Sequence, residues 1–275
     1  MKALIIALAL FGCAFANVLR SEPVEIRPNI MTYRNAHYQD RIIGGTNDVP
    51  HAHPYQISLQ TTSSTGVWYH TCGGSIIGDD TVLTAAHCVD SKPASEYRVV
   101  SAEYDFNNIE GVETTIYVKE LIIHPDWNAA AINNDVALIK IQGVFKYDSN
   151  VAKVTLASST PPDKTVSIVT GWGYTNYESK TRPNILQAIT TERCSDFKAW
   201  WGTLFNYKSK SQVATYTTRG EGICIGDSGG PLVYESKSTF IQYGVCSYVM
   251  TPCASGNPDV YARVSAFYDW INNNK

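Results

Sequence analysis

Gly226-Asp227-Ser228-Gly229-Gly230-Pro231 sets a serine among glycines, with a carboxylate beside it. The pattern Gly226-x-Ser228-x-Gly230 fits two arrangements. In one, a sharp strand-to-helix turn of an α/β sheet carries the serine, and its acid and histidine follow it in the chain. No histidine follows His124, so a base for Ser228 has to come from upstream, in the order His, Asp, Ser. Two upstream blocks answer that requirement: Thr84-Ala85-Ala86-His87-Cys88 and Asn134-Asp135-Val136-Ala137-Leu138.

The chemistry explains why these residue types belong together. A serine hydroxyl is a weak nucleophile near neutral pH and needs a base within hydrogen-bond reach, itself held in one tautomer by a third group. His87 is the candidate base, Asp135 the candidate orienter and Ser228 the candidate nucleophile. Asp135 precedes an apolar run, Val136 to Ile139, which draws its carboxylate inward. The negative oxygen formed by attack on a carbonyl needs donors fixed in advance; the resemblance of these blocks to chymotrypsin-type serine peptidases implies that the backbone N–H groups of Gly226 and Ser228 supply them. His51, His53 and His124 read as packing or surface residues.

Composition narrows the class. The chain has 275 residues, 44% hydrophobic and 17% charged, enough apolar content for a large core or two smaller ones. Its net charge of -3, with 22 basic residues scattered among 25 acidic ones, gives no electrostatic footprint for nucleic acid. Lys2, the apolar run Ala3 to Phe11 and the small residues ending Ala14-Phe15-Ala16 read as a secretory signal over residues 1–16. The run is too short to span a bilayer. Its removal takes Cys13 and leaves six of the seven cysteines for an oxidising, extracellular compartment. Beyond residue 43, short runs rich in Val, Ile, Thr and Tyr are broken by Gly, Pro, Asn and Asp, which predicts an all-β fold. Val264, Phe267, Tyr268 and Ile271 recur at helical spacing and predict one terminal helix.

From about Arg41 onward, the three blocks together resemble the trypsin/chymotrypsin family of serine peptidases, in pattern nearest to the chymotrypsin-like and elastase-like enzymes of arthropods. The resemblance implies two six-stranded antiparallel barrels, about 42–155 and 156–262, then a helix at about 264–273, with the active site in the cleft between the barrels. It makes 17–41 a propeptide and 42–275 the peptidase domain. Cleavage of Arg41-Ile42 by a trypsin-like protease would free the Ile42 ammonium to pair with Asp227 and order the Gly226 amide. The implied disulfides are Cys72–Cys88 and Cys224–Cys253. Family members pair a cysteine at the place of Cys194 with one where this chain has Ala214; Cys246 is then the remaining partner for Cys194, as a bond or as two thiols. His70 matches a position tied in the family to the inactive precursor.

Specificity rests on further positions. Trypsins carry aspartate six residues before the serine, where this chain has Gly222, followed by Ile223. Asp259 falls on a second position at the pocket base, and the family's Ser-Trp-Gly wall reads Ser247-Tyr248-Val249, with a branched side chain at the mouth. The implied preference is chymotrypsin- or elastase-like, for small or medium apolar residues. No cofactor is required. Glu103, Asp105, Asn108, Glu110 and Glu113 follow the spacing of the family's calcium loop, with Glu103 and Glu113 as carboxylate ligands of a structural calcium ion. The expected partners are protein or peptide substrates, the activating protease and protein protease inhibitors, with no nucleic acid and no membrane, and the expected state is a secreted monomer. The rival reading is a catalytically silent homologue that binds or regulates.

Overall fold

The structure is a computed structural model that describes residues 42–275; the expected signal, propeptide and Arg41 lie outside the described residues. The chain begins with β1 (Thr46–Asn47), then β2 (Gln56–Thr62), β3 (Trp68–Ile76), β4 (Thr81–Thr84), β5 (Tyr97–Ser101), β6 (Thr114–Ile123) and β7 (Ala137–Ile141). Strands β2 to β7 close a six-stranded barrel in the order β2-β3-β4-β7-β6-β5. In β4 and β7 both faces are covered, so Val82, Leu83, Leu138 and Ile139 form unbroken apolar runs, all fully buried. In β2 the apolar residues alternate instead. Ile57 and Leu59 fill the barrel, while Ser58 and Gln60 are buried against polar partners, His70 and Arg98.

The second half contributes β8 (Thr155–Leu156), β9 (Val166–Gly171), β10 (Gln187–Arg193), α1 (Asp196–Gly202), β11 (Gln212–Tyr216), β12 (Pro231–Ser236), β13 (Thr239–Tyr248), β14 (Asp259–Arg263) and α2 (Tyr268–Asn274). Pairing runs β10-β11-β14-β13-β12-β9, and the β9–β10 pairing closes this ring as a second antiparallel barrel. Its tightest connection is the β12–β13 hairpin, where Ser236 pairs with Thr239 across Lys237 and Ser238. Both turn residues have positive φ, 49° and 61°, as the two-residue turn that matches strand twist requires.

Each half of the chain also reaches across to the other. Strand β1, although it precedes the first barrel, pairs with β10 of the second, Thr46 opposite Ala188. Val264, Phe267 and Ile271, from the far end, are buried in the core of the first barrel. The terminal helix is thus present but divided: a tight turn at Val264–Ala266 and then α2, with Phe267 between them. Its three apolar anchors are those of the periodic pattern. Helix α1 was not visible as periodicity, because its only buried residue is Ala199. The local signal for it is Ser195, whose side chain caps the Lys198 N–H, followed by Asp196 in the first turn.

The bonds Cys72–Cys88 and Cys224–Cys253 are both formed. The Cys194–Cys246 pair is not: both are buried free thiols. Cys194 packs with Ala199, Tyr207 and Ala214, whereas Cys246 lies in the separate core of the second barrel with Val213 and Tyr261. The Cys194 N–H donates to the Ala214 carbonyl at 3.0 Å, so the residue beside Cys194 is alanine and offers no sulfur to bond.

Candidate active site

His87 and Asp135 reach the site from the first barrel. His87 lies in the tight turn after β4, and the turn is pinned by the bridge from Cys88 to Cys72 on β3. Asp135 precedes β7, pulled in by the buried Val136 and Ala137. Its carboxylate, 2% exposed, accepts from His87 Nδ1 at 2.7 Å and from the His87 backbone N–H at 3.0 Å. Ser247 Oγ, on β13 of the second barrel, donates to the same carboxylate at 2.6 Å. Three donors fix Asp135, so its proton-free oxygen faces Nδ1 and leaves Nε2 as the basic nitrogen. The imidazole pKa is pulled down by burial and pushed up by the hydrogen bond and charge of Asp135, with help from Asp90; the net shift is upward.

Ser228 stands on a turn clamped between the barrels. Its carbonyl accepts from Gly73 of β3 at 2.7 Å, and the next amide, Gly229, donates to Cys246 of β13 at 2.8 Å. Gly229 has φ +75°, and a Cβ there would lie 2.6 Å from the Gly73 carbonyl oxygen and collide with Thr84 Oγ1. Only glycine fits between the serine and the histidine-bearing strand. Ser228 Oγ makes no hydrogen bond to His87 among the described residues, and the Cys88 sulfur lies 3.8 Å from His87 Nε2.

The amides of this turn divide into two sets. Asp227, Gly229 and Gly230 donate to the carbonyls of Cys224, Cys246 and Asp227. The Gly226 and Ser228 amides have no acceptor among the described residues, and Ser228 lines the cavity described below. The Gly226 peptide is held from behind, since its carbonyl accepts from His70 Nε2 at 3.1 Å while His70 Nδ1 meets Ser58 Oγ at 2.8 Å. Burial pushes the His70 pKa down to about 4, so this imidazole is a neutral spacer near neutral pH.

Asp227 is fully buried and accepts from the amides of Gly173 and Cys224, at 2.8 and 2.9 Å. Burial still pushes its carboxyl up to about 6. The Ile42 side chain is fully buried in the second barrel's core, and the Ile43 carbonyl accepts from Gly222 N–H at 3.0 Å, tying this segment to the loop before Ser228.

Beside Ser228 opens a cavity of about 200 Å³, with Ile223, Ile225, Ser247, Tyr248, Val249 and Thr251 in its walls. Ile223 and the Ser247-Tyr248-Val249 wall are legible in the sequence; Ile225 and Thr251 carry no such signal. Gly222 and Asp259 stand behind the wall. The Asp259 carboxylate is 4% exposed and accepts from the Ile223 N–H at 3.1 Å, and burial pushes it up to about 7. A Cβ at Gly222 would come within 2.9 Å of Asp259 Oδ2.

Glu103 and Glu113 face a second cavity, of about 260 Å³, together with Asp105 and Asn108. The Glu113 oxygens accept from the amides of Glu110 and Gly111, and Glu110 pairs with His51 at 2.7 Å. Burial and the charge of Glu113 push the Glu103 carboxyl up to about 7.

A closed pair of six-stranded barrels, with a histidine–aspartate pair and a glycine-bound serine where they meet, defines a chymotrypsin-like serine endopeptidase. Comparison with known proteins agrees: the Trypsin family profile matches residues 42–271, and the chain belongs to that family. It is 38% identical to human chymotrypsin-like elastase family member 3B, over 84% of this chain and 87% of the relative. Identity to the human member 3A is 37%, over 86% and 90% of the two chains. To member 1 of the cat it is 36%, over 85% and 89%.

Proposed function

We propose that the protein is a secreted endopeptidase made as a zymogen, with His87, Asp135 and Ser228 as its catalytic residues and an elastase- or chymotrypsin-like preference. The observation that carries this reading is the pair of unclaimed amides at Gly226 and Ser228, beside an imidazole whose other nitrogen is fixed by a buried carboxylate. His87 Nε2 takes the Ser228 proton as the hydroxyl oxygen attacks the scissile carbonyl. The oxyanion that forms meets the two free amides, which need no reorganisation to receive it. The imidazolium, stabilised by Asp135, then protonates the leaving amine, and an acyl group remains on Ser228. Water activated by the same His87 nitrogen releases it.

Cleavage at Arg41 supplies the remaining charge. Asp227 is a buried carboxylate with amide partners and a raised pKa, an environment that a nearby cation would stabilise. The Ile42 ammonium is that cation. Val249 and Ile225 narrow an apolar cavity of about 200 Å³, which supports small and medium apolar side chains over large aromatic ones. Asp259 acts on the pocket from behind, through the Ile223 amide and Gly222. The relatives are named as elastases, and no described helix is long and apolar enough to cross a membrane. Protein substrates, an activating trypsin-like protease and protein inhibitors are the expected partners.

A structural calcium ion fits the acidic loop. Glu103 and Glu113 face one cavity with Asp105, and the Glu103 carboxyl, raised first by burial and then by the charge of Glu113, is one that a hard cation would hold in its charged form. Glu103 and Glu113 would hold the ion, and it would brace the loop without entering the reaction.

The test is covalent. After cleavage at Arg41, an organophosphate should label Ser228 stoichiometrically, and a peptide library should be cut after small and medium apolar residues. An activated protein that neither reacts nor cleaves would establish the silent-homologue reading instead.

A further inference from the structure

The most prominent exposed apolar surface of the described chain lies on α1 and the turn after it. Phe197 is 73% exposed, Leu204 69% and Trp201 65%, with Trp200 and Phe205 beside them. The rings stack into one patch, Trp200 to Phe205 at 4.4 Å and Trp201 to Phe205 at 5.6 Å between centroids. Soluble proteins rarely expose contiguous apolar surface without a use for it. The backbone adds a second observation. Leu204 and Phe205 have φ of 51° and 72°, a left-handed conformation that bulky residues avoid, and strain of that kind persists where the surroundings enforce it. Here it turns two more large apolar side chains into water.

The chain segment that builds the patch carries charge of one sign. From Phe197 to Gly220 the chain carries Lys198, Lys208, Lys210 and Arg219 and no Asp or Glu. Asp196, just before, is committed to Arg263 at 2.8 Å, to Arg193 and to the Tyr207 hydroxyl. Lys198 lies over the Tyr216 ring at 3.2 Å. Exposed Trp, Phe and Leu interleaved with Lys198, Lys208 and Lys210, with the exposed Glu192 opposite Tyr216 at one edge, match the chemistry of an anionic lipid surface.

We propose that this face docks reversibly on anionic lipid bilayers, the aromatic and leucine side chains entering the headgroup layer while the lysines meet lipid charge. No membrane span is required. The patch is also tied to the cleft: Lys208 Nζ donates to the Ala131 carbonyl at 3.0 Å, Gln212 Nε2 to the Ile132 carbonyl at 2.9 Å, and Ser211 Oγ to Asn133 Oδ1 at 2.7 Å. That segment leads directly into Asp135, so a docked molecule holds its active site beside the lipid surface.

The experiment is co-sedimentation of the purified protein with phosphatidylcholine vesicles, with and without phosphatidylserine, and quenching of tryptophan fluorescence by brominated lipid. Binding should require phosphatidylserine, weaken with salt and quench Trp200 and Trp201. The double variant Trp201→Ser, Phe205→Ser should lose about a hundredfold in partitioning, and Lys198→Gln, Lys210→Gln about thirtyfold. Cleavage of a soluble chromogenic peptide should be the same in all three proteins, which separates this result from the peptidase reading. Failure to bind either vesicle, equal binding by the Trp201/Phe205 variant, or a dimer formed through the patch without vesicle binding would overturn the proposal.

Discussion

Replacing Asp135 with asparagine changes one atom of the candidate site, and its effect can be worked out from the hydrogen bonds already present. The carboxylate accepts three: from the His87 N–H at 3.0 Å, His87 Nδ1 at 2.7 Å and Ser247 Oγ at 2.6 Å. An amide offers one accepting oxygen and one donating nitrogen. With the oxygen kept toward the backbone N–H, the new NH2 points at both Nδ1 and Ser247. Nδ1 must then accept, the imidazole proton moves to Nε2, and the lone pair that should receive the Ser228 proton is gone. The expected loss is about 10⁴-fold in kcat/KM, or about 5 kcal/mol of transition-state stabilisation. KM should change little, because Asp135 does not line the cavity beside Ser228.

The pH dependence gives a second readout. In the parent, burial lowers the His87 pKa and Asp135 raises it, and the raising prevails. D135N leaves burial opposed only by Asp90, so the acidic limb of kcat/KM against pH should move to lower pH. For stability the sign is fixed by a raised histidine. Its contribution is complete below the unfolded value of about 6.5 and fades as pH climbs through the folded value. The stability gap between parent and variant should therefore narrow from pH 6 to pH 9. Steady-state kinetics on a chromogenic peptide and urea melts at several pH values measure both. A variant within tenfold of the parent, or a limb that moves upward, would refute the role given to Asp135.

Three other outcomes follow from the same geometry. Gly229→Ala should lower stability by at least about 3 kcal/mol, seen as a reduced urea midpoint, because the Gly73 carbonyl that its Cβ would meet is strand backbone and cannot yield. D259N should gain on the parent as pH rises: the Asp259 carboxyl, raised to about 7 by burial, contributes fully below about 3.9 and loses its contribution as pH climbs through 7. The melting-temperature difference should favour D259N at pH 8 more than at pH 4.5, by about 5 °C. A chelator should lower the parent's melting temperature by a few degrees and leave Glu103→Gln unmoved, whereas equal responses in both would remove the calcium site.

Much of this architecture could be read without coordinates because its chemistry is written locally. Each of the three blocks holds a reactive residue and the neighbours that position it: Cys88 beside His87, the strand after Asp135, the glycines around Ser228. The strands were legible as short β-branched runs, and the terminal helix as the spacing of Val264, Phe267 and Ile271. What escaped was set by the third dimension. The state of Cys194 depended on which residue lies across from it, and that residue, Ala214, is twenty positions away. Helix α1 carries its large side chains outward, so the usual apolar stripe is absent. Ile225 and Thr251 became walls of the cavity through the folding of two loops. Residues 42–47 look like the start of the first barrel but Thr46 and Asn47 join the second, because β11 pairs with β10 only at Glu192 and Arg193 and leaves the edge at Gln187 and Ala188 open.

That exchange of ends works as a clasp. The segment entering the first barrel is stitched to the second, and the segment leaving the second is buried in the first, so each half is fastened by a piece of the other. A protease that nicked the exposed connection around Lys146 or Ser149 would separate the covalent chain without releasing two lobes. A machine built to digest its surroundings is thereby made hard to take apart by enzymes of its own kind.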